Sequence, residues 1–286
     1  LQFIFLTGIK VSNSDKNVVK DFGEEWNKCP QDSIGDTQLK KAYDQYFNIF
    51  PFDKLPAQSE GFDMGCGSGR WAKLFCRRVQ KLNCIDPSNQ ALKVAKHNLA
   101  NCNNVNFINS SVEETKIELG SQDFGYCLGV LHHIPDTLSG LKACSKLLKP
   151  GAPFLLYLYY KFDNKPRWFR LIYYISNVIR VGIVSKLPFR LKVFVTFVLA
   201  CLVYFPFARL ALLLEKLGLN VENIPLTDYR NKSFYFMKTD SLDRFGTKLE
   251  KRFSKKEIEN MLKEAGFTGV SFSEHMPKWV CISYKE

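Results

Sequence analysis

The chain has 286 residues, 46% hydrophobic and 14% aromatic, with a formal net charge of +12. That length suffices for one large α/β domain carrying an insertion, or for two small domains, and it can bury a core without disulfides. Nine cysteines, with no CxxC pair and no zinc-ligand spacing to the four histidines, exclude a disulfide framework and a metal site and point to a reducing compartment.

Taken in order, the N-terminal LQFIFLTGIK is apolar but short and lacks the basic lead and cleavage site of a secretory signal, so export is not expected. The first residue is not methionine, as in a trimmed or incomplete chain. Residues 1 to 20 carry little pattern, although Val18, Val19 and Phe22 suit a domain edge. Phe22 and Trp26 stand one helical turn apart, and Leu39, Tyr43, Tyr46 and Phe47 predict a second helix ending near Pro51. These elements make 1–55 an N-terminal helical cap.

From Pro56 apolar runs alternate with helical patterns, the signature of a parallel sheet covered on both faces. Strands are predicted near Gly61–Met64, Leu82–Ile85, Val105–Ile108, Phe124–Leu128 and Phe154–Tyr159. Cys76, Cys84, Cys127 and Cys144 fall within strands or helices as small apolar residues. GFDMGCGSGR joins the first strand to a helix that starts at Trp71, and Gly65, Gly67 and Gly69 let a ligand approach the backbone beside a helix N-terminus. A glycine loop alone serves many ligands. Here Asp63 lies two residues before it, and Asp86 ends the next strand 23 residues later, placed to accept hydrogen bonds from ribose hydroxyls. An adenine nucleoside cofactor follows.

An acid, one residue and then G-x-G-x-G resembles the first motif of the class I S-adenosylmethionine-dependent methyltransferases. The likeness covers about 55 to 160 and resumes from about 250, and it is greatest to small-molecule and lipid-precursor enzymes, including those of quinone synthesis. It implies a Rossmann-like, doubly wound, mostly parallel seven-stranded sheet in 56–160 and 250–286, with S-adenosylmethionine as cofactor. Asp63, Gly65, Cys66, Gly67 and Gly69 would then hold the methionine end, and Asp86 and Pro87 the ribose. Ser110, Ser111, Val112 and Glu113 would hold the adenine. Gly129 and Val130, in DFGYCLGVLHHIP, would border the methyl group. N-terminal aromatics cover the cofactor in such proteins, a role open to Trp26 or Tyr43, which could equally pack on the domain.

Residues 161–249 read as an insertion. WFRLIYYISNVIRVGIV places Trp168, Leu171, Ile172, Ile175, Val178 and Ile179 on one helical face. The following Val193–Ala208 is apolar for 16 residues, short of the roughly 20 of a spanning helix, and Pro206 and Arg209 interrupt it. Residues 161–220 hold ten Lys and Arg against Asp163 and Glu215, a surplus of eight that accounts for most of the chain's net charge. Basic residues beside apolar faces suit an anionic membrane surface through 166–217, and a lid or a homodimer face stays open. The expectation is a helix pair lying on a membrane or over the site, rather than a span. Residues 225–253 lack periodicity and are expected to form a loop over the site. In that loop Tyr229, Arg230, Tyr235, Asp243 and Arg244 are candidates for holding a polar substrate group, the alternative being a clasp of Asp240 or Asp243 with Arg244. Ser254 and Glu257 form a capping box opening a helix that Gly266 stops, before strands near Val270–Ser273 and Val280–Tyr284.

Methyl transfer from a sulfonium needs alignment and exclusion of water more than particular side chains. His132 and His133 are the general-base candidates, at most one of them pointing to the substrate. The reading is a cytoplasmic enzyme, peripheral on the inner face of the membrane, that methylates an apolar or amphiphilic, lipid-like small molecule. The rivals are an RNA methyltransferase and a non-catalytic membrane adaptor. Nucleic acid is not expected, because GVLHHIPD replaces the motif of base-methylating enzymes and the basic residues alternate with large apolar ones.

Overall fold

The apolar runs of the core and tail build one seven-stranded sheet. The computed structural model describes residues 13–28, 36–163, 165–275 and 279–286, so LQFIFLTGIK lies outside the described residues. The strands are β1 (Glu60–Met64), β2 (Lys81–Asp86), β3 (Val105–Asn109), β4 (Phe124–Leu128), β5 (Pro153–Tyr157), β6 (Phe267–Phe272) and β7 (Cys281–Lys285). Their order is β3-β2-β1-β4-β5-β7-β6, with β1 to β5 parallel and β7 antiparallel to both neighbours. The order reverses between β1 and β4, which is where an open α/β sheet leaves a crevice beyond its strand ends.

Both faces of this sheet are covered, so its strands are apolar on both sides. Phe62, Met64, Cys127, Phe154 and Leu156 pack to one face with Leu141, Ile258 and Leu262. Phe124, Tyr126, Leu155 and Tyr157 pack to the other with Phe47, Phe50 and Phe75. At the centre Gly61 pairs with Phe124 and Phe62 with Gly125. Each phenylalanine ring lies across the neighbouring strand's glycine, where an added Cβ would meet ring atoms at 2.5 Å or closer. Large and small residues thus interlock where the strand order reverses.

The helices are α1 (Lys16–Lys28), α2 (Asp36–Phe47), α3 (Ala72–Phe75), α4 (Asn89–Asn98), α5 (Thr137–Leu147), α6 (Arg167–Gly182), α7 (Phe189–Leu199), α8 (Phe205–Lys216), α9 (Phe234–Gly246) and α10 (Lys255–Glu264). Local chemistry fixes several starts. Ser88 caps α4 through the Ala91 amide, Asp136 caps α5 through the Ser139 amide, and Ser254 with Glu257 closes the capping box on α10.

Two expectations about the insertion change. Pro206 does not interrupt the second helix: α7 and α8 join through a π-turn at Ala200–Tyr204 into one helix, Phe189–Lys216, long and apolar enough to cross a membrane. In that turn the Phe205 amide bonds to the Ala200 carbonyl, and the widened geometry just ahead of Pro206 accommodates its missing N–H. Nor is 225–253 a loop, since 13 of its residues form α9. α9 is packed between the long helix and the cavity, so it has no solvent-facing stripe. Its buried residues include Thr239 and Ser241 beside Phe236, Met237 and Leu242, and that mixture erased the periodic signal.

Candidate active site

β1 carries Asp63 as its penultimate residue, and after Met64 the chain turns through Gly65, Gly67 and Gly69, with φ of 78°, 54° and 76°. These left-handed conformations are what the glycines supply. The loop is fastened to β2. The Gly65 and Cys66 amides donate to the Ile85 carbonyl at 2.8 and 3.0 Å, and the Gly67 amide donates to Asp86 Oδ2 at 3.0 Å. Asp86 Oδ1 accepts from the Ser88 amide at 2.8 Å. Each Asp86 oxygen keeps acceptor capacity toward a ligand, because an ionised carboxylate offers about four lone-pair sites. Burial raises its pKa to about 6, tempered by the Ser88 and Gly67 amides.

Asp63 is more isolated. It is buried, and Oδ2 has no hydrogen-bond partner among the described residues. Burial pushes its carboxyl up to about 8, and the nearby Tyr126 hydroxyl tempers that rise without making a hydrogen bond of ordinary geometry. An orphaned buried acid is costly unless a ligand cation answers it.

These groups adjoin a cavity of about 500 Å³. Cys66, Gly67, Asp86 and Pro87 line one end, with Ser110, Ser111 and Val112 beside them, and Gly129 and Val130 follow β4. Trp26 closes over the loop: a Cβ on Gly67 would meet its indole Nε1 at 3.1 Å. The other walls come from α1, through Val18, Val19 and Phe22, and from Tyr157, Tyr159 and Tyr160 at the end of β5. Asp228, Tyr229, Arg230 and Lys232, with Asp240, Asp243 and Arg244 of α9, complete it.

The two histidines part. His132 is fully buried, stacked on Tyr159 with ring centroids 3.9 Å apart, and neither ring nitrogen finds a partner among the described residues. Burial pushes its pKa well down, so it packs as a neutral ring. His133 lines the cavity. Its Nδ1 lies 2.7 Å from the Leu249 carbonyl, which can only accept, so Nδ1 carries the proton and Nε2 presents a lone pair when the ring is neutral. Nε2 stands 3.9 Å from Asp243 Oδ1, and neither atom has a hydrogen-bond partner among the described residues. The other oxygen, Asp243 Oδ2, accepts from the Tyr159 hydroxyl at 2.6 Å. Burial raises the Asp243 pKa. Two facing acceptors with no donor between them, both buried in the cavity wall, form a receptacle for one proton.

Not every predicted residue reaches the cavity. Tyr43 is stacked on Phe47 at 4.2 Å inside the core. Glu113 accepts from Asn13 Nδ2 at 2.8 Å and ties the N-terminal segment to the domain. Tyr235 and His132 also lie outside the lining, while Asp63 and Gly69 support the loop from behind. The Asp–Arg clasp does not form: Asp240 accepts from the Tyr229 hydroxyl at 2.9 Å, Asp243 from Tyr159, and Arg244 faces the rings of Tyr229 and Tyr159. Arg230 is held by Glu215, with Nη2 2.8 Å from Oε1. Sequence reasoning missed Asn13, Lys232 and Tyr159 and left Val18 on a domain edge. The one available signal was the four-residue spacing of Val18, Phe22 and Trp26, a single stripe of α1.

The strand order, the glycine loop between two buried acids and the crevice beyond it define the class I S-adenosylmethionine-dependent methyltransferase fold. Residues 62–156 match the family model described as Methyltransferase domain. The chain is distantly related to the quinone-biosynthesis O-methyltransferases. It is 38% identical over 97 residues to the ubiquinone biosynthesis O-methyltransferase of Nitrosospira multiformis, covering 33% of this chain and 41% of that one. The enzyme of the same name from Xanthomonas campestris is 36% identical over 96 residues, covering 33% and 40%. The chain thus spans about two fifths of the length of these relatives. Among solved structures, one described as a possible exported protein from Bordetella parapertussis superposes with a TM-score of 0.50 at 12% identity, over 87% of this chain and 68% of that one. A methyltransferase of Aquifex aeolicus covers 88% and 98% with a TM-score of 0.45 at 14% identity. The cofactor this fold takes is S-adenosylmethionine, and the residues present fit it: a loop whose Gly65 to Gly67 backbone lines the cavity, Asp86 on the same wall for its ribose, and the unpartnered Asp63 buried just behind the loop, from where its charge would favour the cofactor ammonium.

Proposed function

We propose that the protein transfers the methyl group of S-adenosylmethionine to a hydroxyl of an amphiphilic, lipid-linked small molecule. The observation that carries this reading is the pair His133 Nε2 and Asp243 Oδ1, 3.9 Å apart and buried in the wall of the cavity that the glycine loop and Asp86 also line. The cofactor supplies an electrophilic methyl carbon on a good leaving group. His133, its tautomer fixed by Leu249, takes the acceptor's proton as the oxygen bonds to carbon, and Asp243 stabilises the imidazolium that results. Tyr159 holds Asp243 in place. Phe22, Trp26 and the tyrosines around the cavity exclude water and accept an apolar ring or chain. The relatives, O-methyltransferases of ubiquinone biosynthesis by name, support an oxygen acceptor on a lipid-linked ring.

The test is incubation of the full chain with isotope-labelled S-adenosylmethionine and a total lipid extract, followed by mass spectrometry. Label on a hydroxyl of an apolar product, lost in His133→Gln, supports the proposal. Label on nitrogen, or a product unaffected by His133→Gln, overturns the assigned chemistry.

A further inference from the structure

Of the 21 large apolar side chains exposed among the described residues, all but Leu119 fall between Trp168 and Leu219. The buried positions of the same helices are polar or small. On α6 the one buried residue is Arg180, which donates to the Thr247 carbonyl at 2.7 Å and to Asn177 Oδ1 at 3.0 Å. On the long helix the buried row is Lys192, Thr196, Ala200, Tyr204, Ala208 and Ala211. Lys192 ion-pairs with Asp21 of α1 at 2.7 Å, and the Thr196 carbonyl accepts from Ser241 of α9 at 2.9 Å. The insertion is therefore amphipathic in the reverse sense. Its polar groups are satisfied inward by the protein, and its phenylalanines and leucines face out. A soluble monomer rarely exposes a contiguous apolar patch of more than a few hundred Å².

We infer that the outward faces of α6 and the Phe189–Lys216 helix are a docking surface for one leaflet of an anionic bilayer, with both helices lying in the plane of the membrane. Length and composition alone would let the second helix span. The structure argues otherwise, because one side of the helix, the row from Lys192 through Thr196, Ala200, Tyr204 and Ala208 to Ala211, is packed on the protein along nearly the whole length and cannot face acyl chains while it remains so. Charge names the partner. Arg167 and Arg170 are exposed at the start of α6, Lys186 and Arg190 in the turn before and at the start of α7, and Lys216 at the end of α8. Cations at the ends of apolar helices are where lipid phosphates meet an in-plane helix. α9 lies between this surface and the cavity, packing on α7 with one side and carrying Asp240, Asp243 and Arg244 on the other.

The experiment is co-sedimentation of the full chain with vesicles of phosphatidylcholine, alone or mixed with phosphatidylglycerol. The chain should pellet with the mixed vesicles. Arg167→Gln, Arg170→Gln and Arg190→Gln should each lower partitioning about five-fold. The combined variant Leu171→Glu, Ile175→Glu, Phe194→Glu and Phe205→Glu should stay in the supernatant, with its circular dichroism and its affinity for S-adenosylmethionine unchanged. As a second readout on the unaltered fold, brominated phospholipids should quench the fluorescence of Trp168, an effect that Trp168→Phe abolishes. Pelleting that the glutamates do not reduce, or vesicle-free dimers whose Trp168 is not quenched, overturns the inference, the second result in favour of a second copy of this chain. Because vesicle binding and cofactor binding are read separately, failure of methyl transfer with docking intact counts against the enzymatic reading alone.

Discussion

The sheet region and the inserted helices sort their side chains in opposite directions. In β4 and β5 nearly every residue is apolar and buried, and the buried acids of β1 and β2, Asp63 and Asp86, stand at or next to the strand ends, Asp86 on the cavity wall and Asp63 just behind it. In α6 and the long helix it is arginine and lysine that are buried, while phenylalanine and isoleucine are exposed. Both regions obey the same rule, that a buried charge must be paired and hydrogen-bonded. They differ in which partner is supplied. Arg180 and Lys192 are answered within the chain, by Thr247, Asn177 and Asp21. Asp63 Oδ2 is answered by nothing among the described residues. A pairing completed internally marks structure, and one left open beside a cavity marks a ligand.

The comparison can be broken at several points. The largest effect is expected in the receptacle: His133→Gln should lower kcat by about 10²- to 10⁴-fold while leaving cofactor affinity intact, measured by single turnover and calorimetry. His132→Phe should leave kcat near that of the parent, since His132 makes no polar side-chain contact. Parity between the two variants would erase the distinction drawn between adjacent rings. Next, Asp86→Ala should weaken S-adenosylmethionine about 10- to 100-fold by calorimetry, the worth of a charged hydrogen-bond pair. An unchanged affinity refutes the ribose assignment.

The Asp63 carboxyl yields a pH dependence. Its folded pKa of about 8 lies above the ordinary carboxyl value, so the cofactor-free protein binds a proton there that the unfolded chain releases. The stability this contributes is full below the unfolded pKa and is lost as pH rises through about 8. A cofactor ammonium favours the carboxylate, so affinity should rise with pH up to about 8 and then level, approaching ten-fold per unit. Asp63→Asn should flatten that profile between pH 7 and 8, above the range in which Asp86, at about 6, titrates. Calorimetry in buffers of different ionisation enthalpy would count the proton.

The smallest effect concerns the inner face of the insertion. Asp21→Ala leaves buried Lys192 unpaired and should cost about 3 kcal/mol of stability. Lys192→Met removes the charge with its partner still partly exposed and should cost less, as thermal unfolding followed by circular dichroism would show. The reverse ranking would mean that Lys192 is not held by Asp21.

Most of the sheet was legible because its signals are local. Strand runs, the acid-and-glycine loop and the Ser254–Glu257 capping box each lie within a few residues, and each was found near its predicted place. Asp86 was legible for the same reason, since a strand's last residue has its position fixed by the strand. The receptacle was not. His133 and Asp243 are 110 positions apart, and their meeting depends on α9, whose periodicity is hidden because it is buried on two sides.

The sequence by itself determined that a nucleoside cofactor site exists and that 166–217 is amphipathic and basic. Only the tertiary structure decided which of two adjacent histidines faces the cavity, and which side of the inserted helices faces out. Both choices turn on long-range partners: Leu249 for His133, Asp21 for Lys192 and Thr247 for Arg180. A helical period states that two faces differ. It does not state which is turned inward, and an apolar stripe is assigned to the core only because water is assumed outside.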